Sequence, residues 1–470
     1  MHKKKETLLH FVGIGGIGMS GIAEVFLNQG YQVTGSDLTH TETTRRLAQL
    51  GARIFIGQKA ENVTHSHVVV VSSAIRESNS EVQEAKRLRI PIIPRAEMLG
   101  ELMRGKQGIA VAGSHGKTTT TSMIATVLTW AGLDPTLVIG GKVDSLGGNA
   151  KLGQGRFVVA EADESDGSFL HLPATYGVIT NIDNDHLDHF GNLGAIEEAF
   201  VNFVGKIPFY GLVALCGEDS GVKRCMHRWS KPFVTYGFSE ECNLYATDIR
   251  CEGFGSHFGV WLREEVGSES RFLGSISLAI PGRHNVLNAL AAISISLQLA
   301  IPFEKIAEGL SHFRGVKRRF DIRWQDPIRK RAIIDDYGHH PTEIVATLSA
   351  ARDFWPGRII TVFQPHRFTR TVHCHDGFLS AFSQSDLVFV SDIYSAGEEP
   401  IAGVDASSLA TDIKKVNPSQ REVFYSGDLE STREVVFDFF KDGDLLLCLG
   451  AGSITKLPDQ WIEKLNSTEV

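Results

Sequence analysis

The sequence contains no long apolar run and no paired cysteines. Its 470 residues include no stretch of about 18 consecutive apolar residues, the length that a membrane-spanning helix needs. Its six cysteines show neither a C-x-x-C pair nor a zinc-like spacing, which predicts free buried thiols in a reducing compartment. We therefore expect a cytoplasmic protein with no stable membrane insertion.

Dense positive charge is absent as well. The formal net charge is −8 at pH 7, and no dense run of lysine or arginine follows Lys3–Lys5. Nucleic acid and anionic membranes are therefore disfavoured as partners. Those lysines precede an apolar stretch, as in a signal peptide, but the five glycines between Gly13 and Gly21 argue against that interpretation.

Length and composition indicate a globular α/β protein with several domains. Hydrophobic residues make up 42% of the chain and charged residues 22%, as in soluble proteins. A prior of about 150 residues per domain predicts roughly three domains. Probable linkers place them at 1–104, 105–315 and 316–470: a Rossmann-like domain, a central P-loop ATPase domain of α/β type and a second Rossmann-like domain.

The central motif is a glycine loop between an apolar strand and a helix. Gly113-Ser-His-Gly-Lys-Thr-Thr-Thr-Thr121 follows the apolar run Ile109–Ala112. Such a loop binds phosphate through backbone N–H groups, the positive end of the helix and a lysine. The predicted nucleotide-binding residues are Gly113, Ser114, His115, Gly116, Lys117, Thr118 and Thr119. A strict nucleotide loop has glycine where this chain has Val111, and the alternative is a polar turn with a solvated lysine.

A second glycine loop follows the first strand, Leu8–Val12. Its glycines are Gly13, Gly15, Gly16 and Gly18. Asp37 lies roughly 20 residues further on, as in dinucleotide-binding folds. Any ligand with a diphosphate, including a UDP-sugar, suits the same loop, so the ligand stays open at this point.

Acids and histidines follow two strands of the central domain. Glu161, Asp163 and two further acids follow Phe157–Ala160; beside a phosphate loop one of them becomes an Mg²⁺ ligand, and an exposed acidic loop is the alternative. His186 and His189 stand three residues apart among carboxylates, which also suits zinc or iron. Mg²⁺ accounts for these carboxylates if the loop binds ATP.

Two further pairs of polar residues are candidate ligand-binding residues, one pair on a helix of the central domain and one in the third domain. Asn285 and Asn288 share a helix face and suit the edge of a base, or serve only as capping and surface residues. Arg367 and Arg370 follow the strand Arg358–Phe363, and a guanidinium suits bidentate binding of a carboxylate. Surface solvation is the alternative for both arginines.

These motifs together resemble the Mur ligases over essentially the whole chain. The resemblance is carried by the first glycine loop, by Gly-Ser-His-Gly-Lys-Thr-Thr and by Asp-Asp-Tyr-Gly-His-His-Pro-Thr-Glu. Within the family, Gly13–Ser20, Asp335–Glu343 and Gln364–Thr371 are most similar to the branch that joins L-alanine to UDP-N-acetylmuramate. The branch that reattaches recycled murein tripeptide typically has Phe-Ala where this chain has Tyr337 and Gly338, and it is the close alternative.

The resemblance implies a role for each candidate. For ATP and Mg²⁺ it implies Lys117, Thr118, Glu161 and His186, although coordination chemistry alone favours Asp185 over a histidine. Around adenine it implies His284, Asn285 and Asn288, and at the γ-phosphate Arg318 or Arg319. For the UDP diphosphate it implies the first-domain glycines, with Ser72, Ser73 and Arg95 as weaker candidates. For alanine it implies Tyr337, His339, Arg367 and Arg370.

The implied reaction is ATP-dependent amide formation through an acyl phosphate, in peptidoglycan precursor synthesis, by a monomer or homodimer. His339 is the candidate base for the amine. Ser114 stands where the family usually has threonine and retains the hydroxyl, and no motif matches the carbamylated lysine of sister ligases. Two other classes are weighed against a ligase: an NAD(P)-dependent oxidoreductase, which leaves the phosphate loop unexplained, and a nucleotide-gated switch, which normally has another lysine near the loop's start.

Overall fold

The computed structural model describes residues 6–143, 148–165, 167–185, 187–264, 268–416 and 422–468. These residues form alternating strands and helices arranged in three sheets. The described residues divide into two compact units. The first comprises Met1–Thr247, Gly259–Ile276 and Leu287–Phe313, and the second comprises Asp248–Phe258, Ser277–Val286 and Arg314–Val470.

The first sheet is parallel, in the order β3-β2-β1-β4-β5. Its elements are β1 Leu8–Val12, α1 Ile17–Asn28, β2 Gln32–Asp37, α2 Glu42–Gln49, β3 Arg53–Ile56, a 3₁₀ turn Ala60–Val63, β4 Val68–Val71, α3 Ser80–Leu88, β5 Ile92–Pro94 and α4 Arg95–Met103. This strand order is that of dinucleotide-binding folds, in which ligands bind beyond the carboxyl ends of the strands.

The second sheet follows the order β15-β14-β13-β12-β11-β10-β6-β9-β7-β8, with β8 antiparallel to β7. Its first elements are β6 Gln107–Ala112, α5 Lys117–Trp130, β7 Thr136–Val143, β8 Gly148–Lys151, β9 Phe157–Glu161, a 3₁₀ turn Ser168–His171, β10 Ala174–Ile179, α6 Leu187–Phe190 and α7 Leu193–Lys206. The chain continues with β11 Leu212–Cys216, α8 Ser220–Met226, β12 Phe233–Gly237, β13 Leu244–Glu252, β14 Gly255–Leu262, β15 Arg271–Leu278, α9 Arg283–Gln298 and α10 Phe303–Ser311.

The third sheet follows the order β16-β17-β21-β18-β19-β20, with β16 antiparallel to β17 and the other pairs parallel. Its elements are β16 Asp321–Asp326, β17 Arg331–Asp336, α11 Pro341–Phe354, β18 Ile359–Phe363, α12 Phe368–His373, α13 His375–Ala381, β19 Leu387–Ser391, α14 Ala406–Val416, β20 Glu422–Gly427, α15 Leu429–Phe439, β21 Leu445–Leu449, a 3₁₀ turn Ser453–Lys456 and α16 Leu457–Thr468. The predicted three-domain α/β fold is therefore confirmed, while the borders near 104 and 315 stay predictions.

The core of the first unit extends from the first sheet into the second. One hydrophobic cluster includes Met19 and Ile22 of α1 together with Val138 of β7 and Ala150 of β8. The side-chain amide of Asn149 also donates to the carbonyl of Ile17 over 2.9 Å. The helix that follows the first glycine loop is therefore packed directly against the second sheet.

The core of the second unit lies on both faces of its sheet, because successive side chains of a strand point to opposite sides. In β17, Ile334 belongs to the cluster under α11 and Ile333 to the cluster under α16. Strands buried on both faces are apolar along their whole length. The polar residues of this unit are consequently found where the strands end.

Two sequence expectations can be compared with the structure directly. Among the described residues, no helix combines the length and the apolar character that a bilayer span requires. All six cysteines are reduced thiols, as predicted; Cys216, Cys225, Cys242 and Cys448 are buried, whereas Cys251 and Cys374 are only partly buried.

Candidate active site

The phosphate loop begins where β6 ends, and its two glycines are required by close contacts. Gly113 has a φ of +131°, and a Cβ on it would lie 2.0 Å from Oγ1 of Thr180. Gly116 has a φ of +81°, and a Cβ on it would lie 2.7 Å from Oδ1 of Asn288. Only glycine fits such positions without strain. The loop thereby directs the N-terminus of α5, a favourable site for phosphate, away from the sheet.

Lys117 is the first residue of α5 and is held by three acceptors. Its Nζ donates to the carbonyl oxygens of Gly113 and Ser114 over 2.7 and 3.1 Å, and to Oε1 of Glu164 over 2.8 Å. Burial by itself would lower the pKa of Lys117, but the carboxylates of Glu164 and Asp163 raise it. Lys117 is therefore a permanent positive charge in the loop. Burial raises the pKa of Glu164 to about 7, against the opposing effect of Lys117.

Thr118 and Glu161, two predicted metal ligands, lie together. The Thr118 hydroxyl donates to Oε2 of Glu161 over 3.2 Å, and the N–H of Gly140 donates to Oε1 over 2.6 Å. A hydroxyl and a carboxylate are hard oxygen donors of the kind that Mg²⁺ prefers. The residues present therefore fit a magnesium ion, and the third predicted ligand, His186, lies outside the described residues.

The phosphate loop is also bonded to the segment that follows β10. The N–H of His115 donates to Oδ1 of Asn181 over 2.8 Å, and its ring nitrogen Nε2 lies 3.0 Å from Oδ2 of Asp183. The N–H of Asp183 donates to the hydroxyl of Ser114 over 2.9 Å. This use of the Ser114 hydroxyl explains physically why serine can replace threonine there. Asn181 and Asp183, which follow β10, are thus bonded directly to the phosphate loop.

The three residues predicted to surround adenine occur on one helix, α9. Oδ1 of Asn288 accepts from the Thr120 hydroxyl over 3.0 Å, so Asn288 lies beside the first turn of α5. Asn285 donates to the carbonyl of Pro281 over 2.7 Å. Burial, and then the charge of Arg319, lower the pKa of His284 to about 4, so this imidazole is neutral at pH 7. The adenine role of all three stays a prediction.

The first glycine loop is bonded to the end of β2. The N–H groups of Gly13 and Ile14 donate to the carbonyl of Ser36 over 2.8 and 2.9 Å. The N–H of Gly15 donates to Oδ2 of Asp37 over 2.8 Å. Asp37, the acid that made the first loop resemble a dinucleotide-binding motif, therefore supports the loop itself. Ser72 and Ser73 follow β4 and precede Ile75, whose side chain would lie 3.6 Å from a Cβ on Gly13.

Arg95 lies between Gly18 of the first glycine loop and the acids that follow β9. A Cβ on Gly18 would lie 2.5 Å from Nη1 of Arg95, so glycine permits the close approach of this guanidinium. Nη2 of Arg95 donates to Oδ2 of Asp163 over 2.9 Å, just beyond β9. Burial would raise the pKa of Asp163, but Lys117 and Arg95 hold it well below its usual range. This ion pair therefore joins the start of α4 to the acids that follow β9.

The second unit contains a ring-lined cluster, which we define as Tyr337, His339, His366 and Tyr394. The ring of His339 lies 5.2 Å from that of Tyr337 and 5.5 Å from that of His366, and His366 stacks on Tyr394 at 5.5 Å. These residues follow β17, β18 and β19 of one sheet. Carboxyl ends of neighbouring parallel strands are where such sheets bind ligands.

The loop after β17 is held by Asp336, which is fully enclosed. Its Oδ1 accepts from the N–H of Gly338 and its Oδ2 from the N–H of Phe320, each over 2.7 Å. Burial raises the pKa of Asp336 to about 6. The same contacts bring Arg318 and Arg319 over the Tyr337 ring, each 4.8 Å from its centre. Both arginines thus border the ring-lined cluster, and their reach to the γ-phosphate stays a prediction.

His339 is a neutral imidazole. Burial lowers its pKa to about 3; Glu343 opposes this, and Arg370 and His366 add to it. A general base works best with a pKa near the working pH. The lowered pKa leaves the imidazole of His339 able to donate or accept a hydrogen bond at pH 7, and its role as base stays a prediction.

Arg367 has a strained backbone. Its φ is +70°, a conformation that costs a non-glycine residue about 1 kcal/mol or more. Its N–H donates to the carbonyl of Tyr394 over 2.8 Å, which holds the chain in this shape. The side chain is exposed, as a ligand-binding arginine would be. Arg370 lies one turn on in α12, and its charge lowers the pKa of both His339 and His366.

Three residues of these sites have no role in the sequence interpretation. They are Glu164 beside Lys117, Glu343 beside His339, and His366 in the ring-lined cluster. His366 has a pKa lowered to about 4 by burial and by Arg370, and its Nδ1 has no hydrogen-bond partner among the described residues. Its place between a strand end and Arg367 was the available signal.

Comparison with known proteins agrees with this arrangement along the whole chain. A profile described as "Mur ligase family, catalytic domain" matches residues 8–107, "Mur ligase middle domain" matches 111–296, and "Mur ligase, glutamate ligase domain" matches 318–452. The UDP-N-acetylmuramate–L-alanine ligase of Geobacter sulfurreducens is 52% identical over 467 residues, 99% of either chain. That of Trichlorobacter lovleyi is 51% identical over 459 residues, 97% of this chain and 98% of the relative.

Solved structures agree as well. The UDP-N-acetylmuramate–alanine ligase MurC of Thermotoga maritima is 32% identical and superposes with a TM-score of 0.81, covering 98% of this chain and 99% of that one. A murein peptide ligase of Psychrobacter arcticus has the same fold, with a TM-score of 0.71, 23% identity, and 97% and 98% of the two chains covered. With all three domains matched in order and half of all residues shared with full-length relatives, this chain belongs to the Mur ligase family.

Proposed function

We propose that this chain joins L-alanine to the muramyl carboxylate of UDP-N-acetylmuramate and converts ATP to ADP and phosphate. The observation that carries the proposal is the Arg95–Asp163 ion pair within one compact unit. Arg95 packs against Gly18, and Glu164, the neighbour of Asp163, accepts from Lys117 of the phosphate loop. A nucleotide-sugar site next to a triphosphate site is what phosphorylation of a sugar carboxylate requires. The full-length relatives at 51–52% identity support alanine as the amino acid.

The chemistry proceeds in two steps because a carboxylate lacks a good leaving group. The muramyl carboxylate oxygen attacks the γ-phosphorus of ATP, so that an acyl phosphate forms and ADP leaves. The alanine nitrogen then attacks the acyl carbon, loses a proton and expels phosphate. Lys117 and the N-terminus of α5 stabilise negative charge on the transferring phosphoryl group. A magnesium ion, held by Thr118 and Glu161 with His186 as the predicted third ligand, would neutralise further charge there.

We assign amino-acid binding to the second unit. Arg367 and Arg370 would bind the carboxylate of alanine, for which a guanidinium supplies paired donors. Tyr337 and His339 would form the wall of that site, and the neutral imidazole would accept or donate one hydrogen bond. The identity of the base, the cytoplasmic location and the choice between monomer and homodimer stay predictions.

Phosphate release by the purified protein tests the proposal. With ATP, Mg²⁺ and UDP-N-acetylmuramate present, release that depends on L-alanine is expected. Release that depends only on the murein tripeptide would transfer the assignment to the recycling branch of the family. Release with neither would contradict the proposal.

A matched pair of lysine variants tests the role of the phosphate loop. Lys117→Ala should abolish ligation and leave UDP-N-acetylmuramate binding unchanged in a direct titration. Lys151→Ala removes an exposed lysine that pairs with Asp134 and should retain full activity. Ligation by Lys117→Ala at the wild-type rate would contradict the role of Lys117 in phosphoryl transfer.

A further inference from the structure

A fully buried carboxylate lies behind the first glycine loop. Glu81, in the first turn of α3, is 0% exposed. Its Oε2 accepts from the Ser36 hydroxyl over 2.6 Å, and its Oε1 accepts from the side-chain amide of Asn62 over 2.6 Å. Nε2 of His10, on β1, lies 3.5 Å from Oε1. The carboxylate thus joins the central strand β1, its neighbour β2, helix α3 and the 3₁₀ turn.

The same groups are bonded to the backbone that supports the glycine loop. The carbonyl of Ser36 accepts from both Gly13 and Ile14. Asn62 also donates to the carbonyl of Gly57 over 3.0 Å, and the N–H of Gly57 donates to the carbonyl of Asp37 over 2.8 Å. Asp37 in turn accepts from Gly15. Two hydrogen-bonded routes therefore lead from Glu81 to the glycine loop, through Ser36 and through Asn62 to Asp37.

Burial of a carboxylate in this position is unfavourable unless hydrogen bonds from its partners compensate for the lost contacts with water. Removing an ionised group from water is unfavourable, and an apolar side chain would fill the same space with less penalty. Hydrogen bonds to a charged acceptor are about twice as strong as neutral ones. Burial would raise the pKa of Glu81, yet His10, Ser36 and Asn62 lower it, so the group is ionised at neutral pH. The charge therefore fixes the ends of β2 and of the 3₁₀ turn.

We propose that Glu81 is a positioning residue for the diphosphate of the nucleotide-sugar substrate, acting through Ser36 and Asp37 on the Gly13–Gly15 loop. This inference rests on the proposed function, because it takes that loop as the diphosphate site. Glu81 itself does not contact the diphosphate. It sets the orientation of the backbone N–H groups that do.

Substitution of Glu81 by glutamine is the direct test. Glutamine has the same shape but only one acceptor oxygen, so either Ser36 or Asn62 loses its acceptor. We expect KM for UDP-N-acetylmuramate to rise about tenfold, while kcat and the KM values for ATP and alanine change less than about twofold. Glu24→Gln is the matched control: Glu24 is buried in the same domain and pairs with Arg46 over 2.6 Å. It should leave all three KM values unchanged.

A double-substitution cycle separates positioning from general destabilisation. Ser36→Ala removes the hydroxyl and retains the carbonyl that accepts from the loop. If Glu81 acts through Ser36, the double variant should be no worse than Glu81→Gln alone. Fully additive effects would contradict that route. A parallel rise in all three KM values, or a lower melting temperature with an unchanged KM for the nucleotide sugar, would overturn the proposal.

Direct titration with UDP-N-acetylmuramate distinguishes failure of the proposed function from failure of the proposed role of Glu81. If the wild-type protein binds this ligand but makes no amide with alanine, the proposed function fails and the binding comparison still tests Glu81. If the wild-type protein ligates alanine and Glu81→Gln binds the nucleotide sugar equally well, only the positioning inference fails.

Discussion

The Arg95 guanidinium donates to Oδ2 of Asp163 over 2.9 Å, and it packs against Gly18, where a Cβ would lie within 2.5 Å of Nη1. One side chain therefore contacts the helix after the first glycine loop and the acids beyond β9. Asp163 in turn acts on Lys117, whose pKa it raises. Arg95 therefore adds a charged contact to the apolar packing of α1 against β7 and β8.

Substitution of Arg95 by lysine should weaken the contact between the first glycine loop and Asp163, and with it the use of UDP-N-acetylmuramate. Lysine keeps the charge but lacks the planar fork that reaches Gly18 and Asp163 together. We expect kcat/KM for UDP-N-acetylmuramate to fall about tenfold, as for loss of one charge-assisted contact. Arg87→Lys, at an exposed arginine that pairs with Glu84, is the control and should behave as wild type. Equal activities of the two variants would refute the assignment.

Two threonines of α5 allow a sharp test of the magnesium ligands. Thr118→Val removes the hydroxyl that lies 3.2 Å from Glu161, and the Mg²⁺ concentration for half-maximal activity should rise about tenfold or more. Thr118→Ser should restore most of the activity. Thr121→Val changes a buried hydroxyl without a hydrogen-bond partner in the described structure, and no change in Mg²⁺ dependence is expected. A normal Mg²⁺ response of Thr118→Val would exclude Thr118 as a ligand.

Arg367→Gly should uncouple stability from activity. Glycine adopts a φ of +70° without strain, so the free energy of unfolding should stay the same or rise by up to about 1 kcal/mol. Loss of the guanidinium should raise KM for alanine and reduce kcat/KM by about a hundredfold. Lys330→Gly, at an exposed residue with a φ of +52°, should show the same stability change with full activity. Retained alanine affinity in Arg367→Gly would rule out the carboxylate contact.

The buried imidazole of His339 should make the protein acid-sensitive. Its pKa is about 3 in the folded chain and 6.5 as the ordinary value. Below pH 6.5 the unfolded chain therefore binds a proton that the folded chain does not. Stability is full above that pH and declines as the pH falls toward 3, by about 1.4 kcal/mol per pH unit for one such group.

Urea unfolding at pH 6.5 and pH 5 measures this effect. The wild-type protein should lose about 2 kcal/mol more over that interval than His339→Gln does. The control is His375→Gln, at a more exposed histidine beside Asp412, which should keep the wild-type slope. Identical slopes for His339→Gln and the wild type would show that His339 is protonated in the folded chain.

Much of the candidate site could be predicted because its signals are local. Strand, glycine loop and helix stand consecutively in the chain at Leu8–Val12 and again at Ile109–Ala112, and the strands are observed where the apolar runs are. Because parallel strands end at one edge of a sheet, one acid after β9 was expected beside the phosphate loop. The resemblance to the Mur ligases named Glu161, which lies 3.2 Å from the Thr118 hydroxyl.

Other residues could not be found in this way. Glu81 appears in the sequence as an ordinary acid of a polar helix, and only the pairing of β1 with β2 and β4 encloses it. The position of His366 after β18 was its only signal in the sequence, and its contacts could not be foreseen because Tyr394 and His339 follow other strands. The low pKa of His339 likewise depends on burial, which no spacing reveals.

The sequence by itself determined the repeated α/β units, the two glycine loops and the family, because these depend on apolar runs, on glycines and on motifs that are continuous in the chain. Only the tertiary structure decided which charges meet. Arg95 reaches Asp163 across 68 residues, and Glu81 reaches Ser36 across 45. Glu81 and Ser36 are fully buried, so packing leaves each of them the other as a hydrogen-bond partner. Arg95 and Asp163 stay partly exposed and meet because the fold brings α4 against the end of β9. The order of residues along the chain does not show either pairing.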